Sequence, residues 1–269
     1  MIKDRYWQLP IYEIHEFRKK QTKYCICIPV LNEGEEIKKQ LQRMLPFSKQ
    51  ADIVIADWGS TDGSTDPKFL KKIGVRTKLL LKSPGRQGTQ LRMGFSYALK
   101  QGYEGIIQID GNNKDGVEAI PNFINALDEG FDYVQGSRFI KGGKAINTPP
   151  LRFLAVRLLA APILSLGAGF WYTDVTNGFR GYSKRYFLHP KVQPFRDIFV
   201  RYEFNMYLTV RANQLGLKTK EIPVSRTYPK GKVHTKISFL KGNFDFLLSQ
   251  LKAAFGYYNP KCSKISKSI

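Results

Sequence analysis

The chain has 269 residues, 42% of them hydrophobic, and carries 43 Lys and Arg against 22 Asp and Glu, a net charge of +21. This length and apolar content exclude a disordered chain and allow one large domain or two small ones. The charge points to an anionic partner such as a nucleotide or an acidic membrane surface. It is concentrated late, with 11 basic and 2 acidic side chains in residues 218–269.

The opening "MIKDRYWQLP" is charged and has no apolar run, so no signal peptide is read there. "YCICIPV" (Tyr24 to Val30) reads as a strand buried on both faces, with Cys25 and Cys27 on one side. An odd count of three cysteines argues against a disulfide framework. "NEGEEIKKQLQRML" follows as an amphipathic helix, then a strand over Asp52 to Asp57 and a polar turn, "WGSTDGSTD". "VRTKLLLK" reads as a third strand, "GTQLRMGFSYALKQG" as a helix closed by Gly102, and "GIIQID" as a fourth strand. "GVEAIPNFINALDEG" is a helix and "DYVQGSRF" a fifth strand. This alternation predicts a mainly parallel sheet with helices on both faces, whose ligands bind beyond the carboxyl ends of the strands. Pro29–Glu33, Asp57–Asp62 and Asp110–Asp115 all fall at such ends.

The second half reads differently. "FLAVRLLAAPILSLGAGFWY" (Phe153 to Tyr172) contains Arg157 and Pro162. Its longest uncharged run is about 15 residues, short of the roughly 20 needed to span a bilayer. It reads either as a buried helix pair or as helices lying in a membrane interface. A loop "TDVTNGFRGYS", a helix "YEFNMYLTVRANQLG", a strand "KTKEIPVSR" and a basic loop "YPKGKVHTK" follow, and a last amphipathic segment precedes a basic tail.

No P-loop and no dinucleotide fingerprint occur, so a bound phosphate is neutralised by a metal or by basic side chains. Asp110 is the natural ligand for a hard cation, because such ions take oxygen donors. Asn112 stands where a second carboxylate would complete the pair, and it is equally a favoured turn residue. No organised patch of stacking aromatics accompanies the basic residues, so nucleic acid is not expected as a partner.

Seven ordered segments, "IPVLNEGEEI", "IVIADWGSTDGS", "GTQLRMGFSYAL", "IIQIDGNNKD", "YVQGSRFIKGG", "DVTNGFRGYS" and "YEFNMYLTVRANQLGLKTKEIPV", together resemble family 2 glycosyltransferases of the polyprenyl-phosphate type. The resemblance is to dolichyl-phosphate mannosyltransferases and undecaprenyl-phosphate sugar transferases. It implies an α/β GT-A fold over 23–237, with 1–22 an N-terminal extension, 153–172 an apolar stretch open to an interfacial role, and 238–269 an amphipathic helix and tail. It implies transfer of a sugar, with inversion, from a nucleotide-diphosphate sugar to a polyprenyl phosphate, on the cytoplasmic face of a membrane and peripheral to it. A saccharide acceptor, or a weakly catalytic nucleotide-sugar binder, is the alternative.

Carried over residue by residue, Pro29, Leu31 and Glu33 match the nucleoside loop, and Asp57 matches a base contact, with Trp58 replacing the acid that usually follows. Asp110 and Asn112 match the metal motif for Mg²⁺ or Mn²⁺, held weakly, with Lys114 beside them as a substitute charge. Asp174 matches the general base or acceptor-orienting acid, and its bland alternative is a partner for Arg180. Arg138 matches the arginine at the acceptor phosphate, which Arg152 or Arg157 could also hold. Lys232, His234 and Lys236 fall in the basic clamp on the donor diphosphate, and Glu203 matches a late acid that is usually structural.

Overall fold

The computed structural model describes residues 7–229 and 241–261. In chain order β1 (Tyr12–Glu16), β2 (Tyr24–Val30), α1 (Gly34–Met44), β3 (Ala51–Asp57), α2 (Pro67–Lys72), β4 (Thr77–Leu81), α3 (Gln87–Lys100) and β5 (Gly105–Gln108) form the first half. Then come α4 (Ile120–Asp128), β6 (Tyr133–Ser137), β7 (Lys144–Ile146), α5 (Pro150–Ala155), α6 (Ala161–Ala168), β8 (Arg180–Ser183), α7 (Lys184–Leu188) and α8 (Glu203–Gln214). β9 (Thr219–Pro223), β10 (Ser225–Thr227) and α9 (Lys241–Ala254) follow.

Eight strands make one sheet in the order β1-β4-β3-β2-β5-β8-β6-β9. Neighbours run parallel from β4 to β5 and between β6 and β9, while β1 and β8 run antiparallel to theirs. The mainly parallel sheet is therefore as the alternation predicts. Two strands of this sheet were not legible, nor was β7, which pairs with β10 outside it. β8 lies within the segment read as a loop, because "RGYS" is too short to show a period. β1 comes from the stretch read as an extension, and its exposed Ile11 and Ile14 suit an edge.

The sheet divides two apolar layers by strand alternation. Cys25, Cys27, Val54 and Ala56 face α3, α6, α7 and α8, whereas Ile26, Ile28, Ile53 and Ile55 face α1 and α4. Both cysteines are buried and free. Gly94 lets α3 sit on β2, since a Cβ there would lie 2.3 Å from the Cys27 sulfur.

One further difference concerns the apolar stretch. Residues Pro150–Ala168 form a single run of 19 helical residues, long and apolar enough by composition to cross a membrane, with 33% of its most apolar window buried. The sequence reading took this stretch, which contains Pro162, as a helix pair or as interfacial helices rather than as one run. A wider π turn over Val156–Ala160 precedes that proline and absorbs the carbonyl clash a proline brings to a regular helix. The helix ends at Gly169, in the left-handed conformation. α6 packs against α8 and α9.

Candidate functional site

β3, β2 and β5 are adjacent, so the three polar loops at their carboxyl ends meet. Gln90 on α3 ties two of these ends by donating to the carbonyls of Val30 and Ala56, at 2.8 and 2.9 Å. Asn32 and Asp62 lace the first two loops: Thr61 N donates to Asn32 Oδ1 at 2.8 Å, and Gly34 N donates to Asp62 Oδ2 at 2.8 Å, capping α1. Burial opposes ionisation of Asp62, but hydrogen bonds from Ser64 and Gly34 hold its carboxyl below the usual range. Pro29 is buried within β2, with Leu31 and Glu33 half-buried just beyond.

Asp57 does not face the crevice. It is 0% exposed. Its Oδ1 accepts from the Ser60 amide and hydroxyl, at 2.9 and 2.7 Å, and its Oδ2 from Thr65 Oγ1 at 2.8 Å. Lys78 Nζ stands 3.1 Å from the same oxygen. Asp57, expected as a base contact, uses its carboxylate here to order the 57–65 turn from within.

Asp110 lies past the end of β5 with its side chain 22% exposed. Gly178 lets the 174–180 segment cross it, since a Cβ there would come 2.5 Å from Asp110 Oδ1. Arg226, from β10, bridges two acids, with Nη1 at 2.5 Å from Asp115 Oδ2 and Nη2 at 3.4 Å from Asp110 Oδ2. The other oxygen of each carboxylate is buried without a hydrogen-bond partner. Burial raises the Asp115 carboxyl despite the guanidinium, and it opposes the charge on Arg226, which the two carboxylates more than restore.

A divalent cation fits this arrangement poorly. Asp115 is buried beneath Arg226, and Asn112 turns its Oδ1 to the Lys114 amide at 3.3 Å. Among the described residues no cluster of three His, Cys, Asp or Glu forms a metal cage. The expected Mg²⁺ or Mn²⁺ held by Asp110 and Asn112 therefore meets a site whose cation position is filled by a guanidinium. Lys114, expected as a substitute charge, holds its ammonium over the Tyr228 ring, 5.6 Å from the centroid.

Asp174 and Arg138 are brought together, but on each other. Arg138 Nε and Nη2 reach Asp174 Oδ2 and Oδ1 at 2.6 and 2.9 Å, and the Arg138 amide and Thr176 complete the shell of a fully buried carboxylate. Asp174, expected as a base, and Arg138, expected as a phosphate ligand, are thus held in one ion pair, which leaves the Arg138 Nη1 amino group outside it. Arg180 is not the partner of Asp174 either; it donates to the carbonyls of Asn177, Asn205 and Val175 and to Thr209 Oγ1. Glu203, the first residue of α8, accepts from the amides of Val200 and Arg201 and so fixes the turn that leads into the helix.

A cavity of about 820 Å³ opens beside Asp110. Asp110, Arg226, Arg152 and Tyr228 line one part of it, and Leu151, Val156, Leu159, Val175, Met206 and Phe246 line another. Of the three arginines expected at an acceptor phosphate, Arg152 alone is in the lining, donating to Tyr228 Oη at 3.1 Å. Arg157 is exposed, over the Phe139 ring at 5.4 Å. Lys232, His234 and Lys236 lie outside the described residues. Sequence reasoning missed Arg226 and Tyr228, which it placed at a strand end and a loop start. No spacing marked them, since their role comes from the register of β10.

No protein-family model matches the chain. It is 26% identical over 211 residues to a polyprenol monophosphomannose synthase of Mycolicibacterium smegmatis, covering 75% of this chain and 76% of the relative. It is 26% identical over 208 residues to an undecaprenyl-phosphate mannosyltransferase of Micrococcus luteus, covering 74% and 81%. Among solved structures, glucosyl-3-phosphoglycerate synthase from Mycobacterium tuberculosis, crystallised with Mn²⁺, UDP and glucosyl-3-phosphoglycerate, superposes with a TM-score of 0.61 at 16% identity. The match covers 89% of this chain and 81% of that one. The chain is a glycosyltransferase of the GT-A fold, related in sequence to the polyprenyl-phosphate mannosyltransferases.

Proposed function

We propose that the protein transfers a sugar from a nucleotide-diphosphate sugar to a polyprenyl phosphate, while bound peripherally to the cytoplasmic face of a membrane. The observation that carries this reading is the shape of the cavity. Its cationic side chains, Arg226 and Arg152, suit phosphates, and its apolar wall suits an isoprenoid chain. Leu151 and Leu159 line the cavity and are also among the exposed apolar side chains of the 150–168 helix, with Leu154 and Leu158. The cavity therefore opens onto an apolar surface. Arg152 and Arg157 beside those leucines suit a headgroup layer, with their stems along the apolar face.

In the reaction an ionised oxygen of the acceptor phosphate bonds to the anomeric carbon as the bond from that carbon to the β-phosphate oxygen breaks. The nucleoside diphosphate leaves with the electron pair, and the carbon is inverted. The nucleophile is already ionised, so no base is required. That suits a fold whose Asp174 is sealed by Arg138. The chain's contribution is to align the two phosphates and balance their charge.

The test is a donor screen: GDP-, UDP-, CDP- and dTDP-sugars with a short polyprenyl phosphate, followed by lipid mass. A glycolipid in one donor series is the expected result. Sugar transfer to a saccharide acceptor, with none to the lipid, overturns the acceptor assignment.

A further inference from the structure

We propose that Arg226 is a built-in cation at the donor diphosphate, doing in this chain the charge-balancing work of a divalent metal, so that nucleotide binding is metal-independent. The inference rests on the nucleotide-sugar reading above for the identity of the anion.

Three observations converge. Asn112 removes one negative charge from the loop after β5, leaving Asp110 as its only carboxylate near the cavity besides the buried Asp115. Arg226 occupies the space between those two carboxylates. A divalent ion there would face a fixed positive charge at contact distance, in surroundings that screen it weakly.

Arg226 is also not a side chain that has swung in. Gly116 N donates to Ser225 O at 2.9 Å, and Thr227 N to Lys114 O at 2.8 Å, so the backbone of β10 is laced to the loop on both sides of Asp115. Asp115 and Arg226 themselves form an antiparallel bridge. The close approach needs Gly116, where a Cβ would meet the Ser225 hydroxyl oxygen at 2.1 Å.

The guanidinium remains competent to bind. It lines the cavity, and it has more N–H donors than the two spent on Asp115 and Asp110. Its planar fork suits a phosphate bidentately, which a lysine would not match.

The test uses the full chain with GDP and UDP as probes. Nucleotide binding is measured by calorimetry in EDTA and in Mn²⁺, and bound Mn²⁺ is measured by electron paramagnetic resonance with and without nucleotide. The expected result is no bound Mn²⁺ on the wild type and an affinity that agrees within about twofold between EDTA and Mn²⁺. Arg226→Gln should weaken nucleotide binding in EDTA by about tenfold or more. Because this variant strands the buried Asp115 charge, Arg226→Gln with Asp115→Asn serves as the neutral control and should show the same loss. A stoichiometric Mn²⁺ signal on the wild type, a loss of about tenfold on adding EDTA, or wild-type affinity in the double variant overturns the proposal. Nucleotide binding that demands Mn²⁺ sinks Arg226 as the cation and leaves the donor reading standing. Failure of any nucleoside diphosphate to bind sinks the donor reading, and the Mn²⁺ signal of the nucleotide-free protein still decides the cation.

Discussion

Two arginine–aspartate clusters flank the site, and they differ in what they leave over. Arg138 and Asp174 close on each other: every carboxylate oxygen has donors, and neither residue lines the cavity. Arg226 spans Asp115 and Asp110, leaves one oxygen on each carboxylate without a partner, and lines the cavity with Asp110. A saturated buried cluster holds loops in register. An unsaturated one keeps hydrogen-bonding capacity at an energetic cost, which is what a binding site requires. Burial and charge alone would not separate the two; the orphaned oxygens do.

The comparison breaks first at Asp174. Asp174→Ala strands the buried Arg138 charge, so a loss of about 3–5 kcal/mol is expected, seen as a fall in Tm on the order of 10 °C. Asp110→Asn keeps the shape of a partly exposed side chain, and its stability change should stay within about 1 kcal/mol. Its transfer rate should fall by about 10²-fold or more, as when a charge-positioning group leaves a reacting centre. Thermal melts and single-turnover transfer, run side by side on both variants, check this. An Asp174 variant that melts like the wild type but no longer transfers sugar would make the closed cluster catalytic.

The legibility of the molecule follows the same divide. β2, β3 and β5 were readable because each is a short apolar run ending in a polar turn, and their adjacency placed Asp110 correctly at the crevice. The inward bonds of Asp57 were not legible, because a strand-end carboxylate looks the same in sequence whether it points outward or back to Ser60 and Thr65. Arg138 and Asp174 were recognised as belonging near the site, but their pairing spans 36 residues and no local pattern reports it. Arg226 was invisible for a stronger reason. It matters only through the bridge between β10 and Asp115, which lie 111 residues apart in the chain.

The open cluster is useful only if its cavity reaches lipid, and this sharpens the comparison at the next level of effect. Leu158 is 66% exposed on the helix whose other residues line the cavity. Burying one leucine is worth about 1.5–3 kcal/mol, so Leu158→Glu should reduce partitioning onto anionic vesicles by about tenfold or more. Leu45→Glu, at the far end of α1, should leave it unchanged. Sedimentation with phosphatidylglycerol vesicles measures both, and equal losses would take the membrane face away from the 150–168 helix.

The smallest effect lies beside the closed cluster. Glu221 accepts from the Thr173 amide and hydroxyl and from the Asp174 amide, so it fixes the start of the loop that Arg138 holds. Burial raises its carboxyl above the ordinary 4.5, although those hydrogen bonds pull the other way. A raised carboxyl binds its proton more tightly in the folded chain than in the unfolded one. Its contribution to stability is therefore fullest below about 4.5 and declines as pH rises through the folded value, by about 1.4 kcal/mol for each unit of elevation. Glu221→Gln has no proton to lose. Its melting temperature relative to the wild type should therefore climb as the pH is taken from 4 to 8. A difference that stays flat over that range would mean the folded carboxyl titrates as it does in the unfolded chain, with the Thr173 and Asp174 amides fully offsetting its burial.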